Sequence, residues 1–315
     1  MKILLTGGCG YVGTVLTQQL LQDGHQVTVV DTQWFGNHLD PHPNLVVQQQ
    51  DIRDVDKIAL EGTEVILHLA NIANDPGVEL NPTLSWEVNV LAAQQLAVRA
   101  VRAGVKQLIY ASSGSVYGVK DEPQVTEDLP LVPISVYNKT KMVAERVLLS
   151  YQDELRVHCV RPATVCGWSP RMRLDVSVNM LTLQALKDGR ITVFGGQQTR
   201  PNIHIQDMVR VYQHFLVKSD IPSGCYNAGF ENISILEIAE RVTEKVPAEI
   251  VVTESNDPRS YRQNSDKLLA TGFEQKFCIA DAIDEVIKRY QAGELADEDN
   301  CYTVRWMKHL NLEQV

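Results

Sequence analysis

Short apolar runs rich in Val, Ile and Leu alternate with longer amphipathic segments through the first half of the chain, and this alternation restricts the fold more than any other feature. The runs are KILLT at 2–6, QVTVVD at 26–31, NLVVQQ at 44–49, EVILHLA at 64–70, QLIYAS at 107–112 and RVHCVRP at 156–162. Runs of this kind suit strands buried on both faces of a parallel sheet. Between them, residues 11–22, 84–103 and 136–151 have helix-forming composition with apolar residues three and four apart. Strand and helix in regular succession predict an α/β fold built on a doubly wound parallel sheet.

Beyond about residue 165 the pattern loosens. A helix is expected near 176–187 and a short strand, ITVFG, at 191–195, and NIHIQDMVRVYQHFL at 202–216 again reads as strand followed by helix. The expected organisation is a nucleotide-binding domain over 1–165, with returning segments near 200–217, and a smaller interleaved C-terminal lobe over 166–315 that binds substrate. A formal charge of −10, from 29 basic and 39 acidic residues, argues against a nucleic acid partner. The six cysteines show no CxxC spacing, the N-terminus lacks a secretory core, and no stretch reaches membrane-spanning length. These features predict a cytoplasmic protein with reduced thiols, no metal site and no membrane partner.

TGGCGYVG at 6–13 places Gly7, Gly10 and Gly13 after a strand and at the start of a helix. Glycines there let backbone amides approach a pyrophosphate at the helix N-terminus. Asp31, at the end of the second strand, is positioned to bind adenosine ribose hydroxyls and to repel a 2′-phosphate, which predicts NAD rather than NADP. The plainer alternative is a tight turn capped by Asp31. Asp51 and Ile52 stand where a polar and an apolar side chain would flank an adenine, or where a surface Asp turn would lie. In YNKTK, Tyr137 and Lys141 are four apart, so on a helix they share a face and the ammonium favours a tyrosinate.

TGGCGYVG, HLAN, SSGSVYG, YNKTK, RPATVCG and RPNIHIQD occur in the order and spacing of the extended short-chain dehydrogenase/reductases. The chain resembles the nucleotide-sugar epimerases and dehydratases of that group over nearly its whole length. The resemblance implies a Rossmann-type sheet, NAD as cofactor, a nucleotide-sugar substrate and a homodimer formed through the helices at 84–103 and 136–151. It further implies that Tyr137 is the acid/base for a sugar hydroxyl, that Lys141 holds the nicotinamide ribose, and that Ser113 hydrogen-bonds the reacting oxygen. Tyr11, Val12, Leu69 and Ala70 fall in motif positions that line the cofactor. Asn89, in WEVNV, matches a residue that supports the active-site helix beside the cofactor, although a helix-interior polar residue is equally compatible with the pattern. Asn71 departs from the more usual alanine after the fourth strand.

Ser113 is selected because the reactive hydroxyl of the group lies four positions before the tyrosine of VYG. The next two residues, Gly114 and Ser115, differ among branches of the family. Sugar 4,6-dehydratases carry Asp-Glu there, decarboxylases carry Glu at the second place, and enzymes that epimerise carbons beside the ketone carry Cys. This chain has none of these, and Ser115 is a far weaker acid than a thiol. Oxidation at carbon 4 is what remains, with two expected outcomes: a sugar-nucleotide 4-epimerase, or a 4-dehydrogenase or reductase that releases its product. The SPRMRLD stretch resembles a subgroup containing GDP-heptose 4-dehydrogenases. A third alternative, a non-catalytic NAD-binding protein, has no need of Ser113, Tyr137 and Lys141. Expected substrate contacts are Ser115, Arg171, Arg173, Arg200 and Arg259, the guanidinium forks suiting diphosphate oxygens. His204 stands alone in its strand and is expected to be structural.

Overall fold

The computed structural model describes residues 1–254 and 260–313. The first part runs β1 (Lys2–Thr6), α1 (Tyr11–Gln22), β2 (Gln26–Asp31), β3 (Leu45–Gln49), β4 (Val65–His68), α2 (Asp75–Leu80), α3 (Pro82–Trp86), a π-helical turn Glu87–Leu91, α4 (Ala92–Ala103), β5 (Gln107–Ala111), α5 (Val136–Leu149) and β6 (Arg156–Pro162). Next come β7 (Thr164–Cys166), α6 (Ser177–Asp188), β8 (Arg190–Phe194), β9 (Thr199–His204), α7 (Ile205–Val217) and β10 (Gly224–Ala228). The chain continues through β11 (Glu231–Ser234), α8 (Ile235–Thr243), β12 (Glu249–Thr253), α9 (Asp266–Leu269), α10 (Ile279–Gln291) and α11 (Thr303–His309).

The main sheet has seven strands in the order β10-β6-β5-β4-β1-β2-β3, every neighbouring pair parallel. Both faces are covered, as a parallel sheet requires. Ile3 and Leu5 of β1 point into one core with Leu16 and Leu20 of α1 and Phe215 of α7. Leu4 points into the other, with Leu96 and Ala97 of α4 and Leu148 of α5. The chain leaves β1 towards β2 and β3, then returns to the opposite side of β1 as β4, so the strand order reverses between β1 and β4. Open α/β sheets bind ligands at the carboxyl ends of the strands flanking such a reversal.

The lobe has a three-stranded sheet, β11-β9-β7, and the parallel pair β12-β8, packed around Val178, Leu181, Ile191, Val193, Ile238 and Ile283. The chain returns to the main sheet over a longer stretch than 200–217: α7 packs on the α1 face and β10 adds to β6 at the edge. The expected continuous helix over 84–103 is divided by the π turn. Within that turn the Asn89 side chain points inward, its Oδ1 accepting from Ile72 N at 2.8 Å and its Nδ2 donating to Ile72 O at 3.2 Å and Thr140 Oγ1 at 3.1 Å. A π turn places one extra residue in the helix, and here that residue's amide anchors the β4–α2 loop to α5. Among the described residues no helix is long and apolar enough to cross a membrane.

Candidate active site

A cavity of about 1070 Å³ opens at the reversal, between the carboxyl ends of β1, β4 and β5 on one side and the lobe on the other. This volume exceeds the roughly 300–1,000 Å³ of a cleft for one small ligand. Its sequence-predicted wall residues fall into three groups, at its glycine end, at its tyrosine end and on the lobe.

At the glycine end, Gly7, Gly10, Tyr11, Val12 and Gly13 line the cavity where α1 begins. Gly7 has φ +76, and a Cβ on it would lie 2.6 Å from Ala70 N. A Cβ on Gly13 would lie 2.1 Å from Gly7 O. Both glycines are therefore required by backbone meeting backbone. Gly10, the N-cap of α1, makes no side-chain cap, so the first amides of the helix face the cavity with the positive end of its dipole behind them. Asp31 accepts from Cys9 N at 3.0 Å and Gln33 N at 2.7 Å. Burial raises its pKa, and the two amide hydrogen bonds oppose the rise. Leu69 and Ala70 close the floor, and Asp51 and Ile52 stand at the edge. The Asp51 carboxylate is partly committed to Arg53, whose Nη2 lies 2.8 Å away, so the surface-turn and cavity-wall readings both describe it. Cradle and carboxylate together fit a dinucleotide.

At the tyrosine end, Ser113, Ser115, Tyr137 and Lys141 line the same cavity. Ser113 caps the short 3-10 turn Gly114–Tyr117; its Oγ accepts from Ser115 N at 3.2 Å and lies 2.7 Å from Ser115 Oγ. Asn138 Nδ2 donates to Ser115 Oγ at 2.9 Å and to Asp75 Oδ1 at 3.2 Å. Ser135, the N-cap of α5, donates to the same Asp75 oxygen. A chain of hydrogen bonds thus runs from Ser113 to the carboxylate of Asp75, at the start of α2. A Cβ on Gly114 would sit 2.8 Å from Gln263 Oε1 and 3.2 Å from Pro162 O, so a side chain there would have to move the Gln263 amide.

Behind the serines, Ser112 Oγ donates to Glu145, which is held by Arg161 Nε at 2.9 Å and Nη2 at 2.8 Å. Arg161 Nη1 reaches Tyr117 Oη at 2.7 Å, and Tyr117 donates to Asn227 Oδ1 at 2.8 Å. All five side chains are fully buried or nearly so. Ser112 is thereby a support for the turn.

Lys141 is 1 % exposed, donates to Ala111 O at 2.7 Å, and has Nζ 5.9 Å from the Tyr137 ring centre. Burial lowers its pKa to about 7. Burial pushes the Tyr137 phenol up to about 12; a hydrogen bond with Ser113 and the charge of Arg173 act downward, and Asp75 acts upward. The phenol is therefore protonated at neutral pH, and abstraction of a proton by it requires further positive charge beside the ring.

From the lobe, Arg171, Arg173 and Arg200 line the cavity. Arg173 Nε donates to Asp175 Oδ1 at 2.8 Å, and Arg200 Nη1 to Thr199 O at 3.3 Å. Asn89 is not among the residues lining the cavity; its amide bonds Ile72 and, on the helix of Tyr137 and Lys141, Thr140, in keeping with its expected support of that helix. Arg259 lies outside the described residues. His204 caps α7, accepting from Gln206 N at 3.1 Å.

Sequence reasoning missed Asp75, Asn138, Trp34, Phe35 and the C-terminal stretch Tyr302–Lys308, all of which border or organise the cavity. Asn138 was within reach, since it sits inside YNKTK. The C-terminal stretch carries no local signal; it is brought in by Thr303 N donating to Asp175 Oδ2 at 3.0 Å and Trp306 Nε1 to Trp34 O at 2.6 Å.

A parallel sheet with a glycine cradle at its reversal, an acid on the next strand, and serine, tyrosine and lysine in one crevice defines a dinucleotide-dependent enzyme acting on a hydroxyl. The NAD dependent epimerase/dehydratase family matches residues 3–229, and the chain belongs to that family. It is an NAD-dependent enzyme. The UDP-glucose 4-epimerase of Lactobacillus helveticus is 28% identical over 295 residues, covering 85% of this chain and 89% of that protein. UDP-glucuronic acid decarboxylase 1 of Danio rerio is 30% identical over 317 residues, covering 95% and 74%. Among solved structures, MoeE5 in complex with UDP-glucuronic acid and NAD is 26% identical, with a TM-score of 0.82 over 93% of this chain and 100% of that one.

Proposed function

We propose that the protein is a sugar-nucleotide 4-epimerase that oxidises and re-reduces carbon 4 of its substrate with bound NAD. The observation that carries this reading is the Ser113–Ser115–Asn138 hydrogen-bond chain beside Gly114: Ser115 supports Ser113, and positions 114–115 hold no acid or thiol for elimination, decarboxylation or deprotonation of a ring carbon. The curated UDP-glucose 4-epimerase relatives are in keeping with it.

NAD, when bound, supplies a nicotinamide that accepts a hydride and returns it. The amides of Gly10, Tyr11 and Val12, beside Gly7 and Gly13, would hold its diphosphate, Asp31 would hold its adenosine ribose, and Asp51, Ile52, Leu69 and Ala70 would complete its site. Lys141 holds the nicotinamide ribose and contributes the positive charge that the raised Tyr137 phenol needs. Tyr137 takes the proton of the 4-hydroxyl while Ser113 hydrogen-bonds the oxygen, and it returns that proton when the ketone is reduced from its other face. Ser115, Arg173 and Arg200 contact the sugar nucleotide.

The SPRMRLD segment favours a second reading, a 4-dehydrogenase that releases the ketone. Purified enzyme incubated with UDP-, GDP-, CDP- and dTDP-sugars is expected to yield the 4-epimer with no net absorbance change near 340 nm. Reduced cofactor accumulating in step with a keto-sugar would establish the second reading in its place. The same proposal places the enzyme in the cytoplasm as a homodimer joined through α4 and α5, with Leu91, 56 % exposed at the start of α4, at the contact.

A further inference from the structure

Arg171 is a buried cation without an anionic partner. It is 5 % exposed, its Nε has no hydrogen-bond partner, and its Nη1 reaches only Met172 O at 3.5 Å. The nearest arginine, Arg173, is already paired with Asp175. Burial and the like charge of Arg173 lower the Arg171 pKa to about 10. A guanidinium removed from water with its fork unmatched is costly, and its presence in a cavity wall calls for an anion brought by a ligand.

Position says which anion. The Arg171 guanidinium carbon lies over the Phe35 ring, 4.0 Å from its centre, and Phe35 follows the Asp31 strand end. Its charged neighbours are Arg173 and the Asp175 that Arg173 binds, on the side of Tyr137, and Asp31 on the ribose side. Arg171 therefore stands midway along the cavity, between the acid that takes a ribose and the tyrosine that serves the redox carbon. In a bound dinucleotide, the group midway between the adenosine ribose and the nicotinamide is the diphosphate.

We propose that Arg171 closes over the diphosphate of bound NAD from the lobe, opposite the amides at the start of α1, rather than binding the sugar nucleotide as the sequence reading expects. NAD is then gripped by both halves of the molecule. The same two segments are tied independently through the C-terminus: Leu174 N donates to Cys301 O at 2.9 Å and Trp306 to Trp34 O at 2.6 Å. Cofactor held across both halves stays through turnover, which a self-contained oxidation and re-reduction requires; the inference rests on that reading of the cavity.

The test is calorimetric titration of the full chain, stripped of endogenous nucleotide, with NAD, ADP-ribose, adenosine, UDP and GDP. Arg171→Ala is expected to weaken NAD and ADP-ribose at least tenfold, while adenosine, which lacks the diphosphate, and UDP and GDP stay within twofold. Arg171→Lys keeps the charge but loses the fork; it is expected to weaken NAD about fivefold and carries the test if the alanine variant does not fold. NAD binding within twofold of the unsubstituted protein overturns the proposal, and a selective loss of UDP or GDP binding returns Arg171 to the substrate. Absence of NAD binding in the unsubstituted protein is a separate outcome that overturns the NAD assignment of the cavity itself.

Discussion

At the glycine end of the cavity the contacts are backbone to backbone: Gly7 against Ala70 and Gly13 against Gly7, with Asp31 accepting two amides. At the tyrosine end, side chains distant in sequence, from α2, the serine turn and α5, meet in one hydrogen-bond network. The first arrangement is steric and tolerates almost no substitution, but it asks little of charge. The second is electrostatic, with Lys141 lowered and Tyr137 raised by the same burial, and its chemistry is set by which charges lie near the ring. One end is shaped by backbone contacts and the other by the electrostatics of buried groups.

The largest effect that would separate the two ends comes from Tyr137→Phe. Turnover is expected to fall by about 10²–10⁴-fold with NAD affinity and thermal stability little changed; an active phenylalanine variant removes the acid/base assignment. Arg161→Met tests whether the tyrosine end depends on its buried support. It leaves Glu145 uncompensated behind Ser112, and chemical denaturation should show a loss of about 3–5 kcal/mol. Gly13→Ala attacks the other end, where the new Cβ meets backbone; an expected loss of roughly 1–3 kcal/mol, with NAD binding impaired, would be read by thermal unfolding and titration.

His68 lies between the ends, at the carboxyl terminus of β4, bonded to Thr6 Oγ1 at 2.7 Å and stacked on Tyr110. Burial first, and then the charge of Lys141, lower its pKa to about 3. Between that value and the ordinary ~6.5 the unfolded chain binds the extra proton, so stability is full above ~6.5 and falls as the pH drops through this window, by about 1.4 kcal/mol per unit. His68→Asn should flatten the slope of unfolding free energy against pH over that range; an unchanged slope would show that His68 is not the titrating group. The smallest effect is expected of Ser135→Ala, which removes the α5 cap and one bond to Asp75. A loss of about 1 kcal/mol in denaturant titration is anticipated, together with a measurable fall in turnover.

The main sheet was legible because its causes are local. β1, α1, β2 and β6 occupy the residues expected from apolar runs and periodicity, since a strand buried on both faces must be apolar throughout and a helix packed on a sheet needs one apolar stripe. The glycine cradle was equally legible, because strand, glycines and helix are contiguous. Strands β10, β11 and β12 and helices α8, α10 and α11 were not read, because each is ordered by partners far away in sequence: β11, β12, α8 and α10 by a lobe core that includes Ile191, Ile238 and Ile283, β10 by packing of Tyr226 with Phe215 at the edge of the main sheet, and α11 by Met307 in the core shared with α4 and α5. The π turn escaped for a related reason, since Asn89 turns inward to meet Ile72, 17 residues earlier, and Thr140, 51 residues later.

By itself the sequence determined the parallel α/β architecture, the cofactor cradle, the Tyr137–Lys141 pair and, by lacking an acid or thiol at 114 and 115, the chemistry least in keeping with this chain. These follow from residue type and short spacing, which one chain displays directly. Only the tertiary structure decided that Asp75 meets the Ser115 hydroxyl through Asn138, that Arg171 lies towards Asp31 and Phe35, and that Tyr302–Lys308 walls the cavity. Each depends on side chains converging from separate elements, and their partners are chosen by packing rather than by neighbours in sequence.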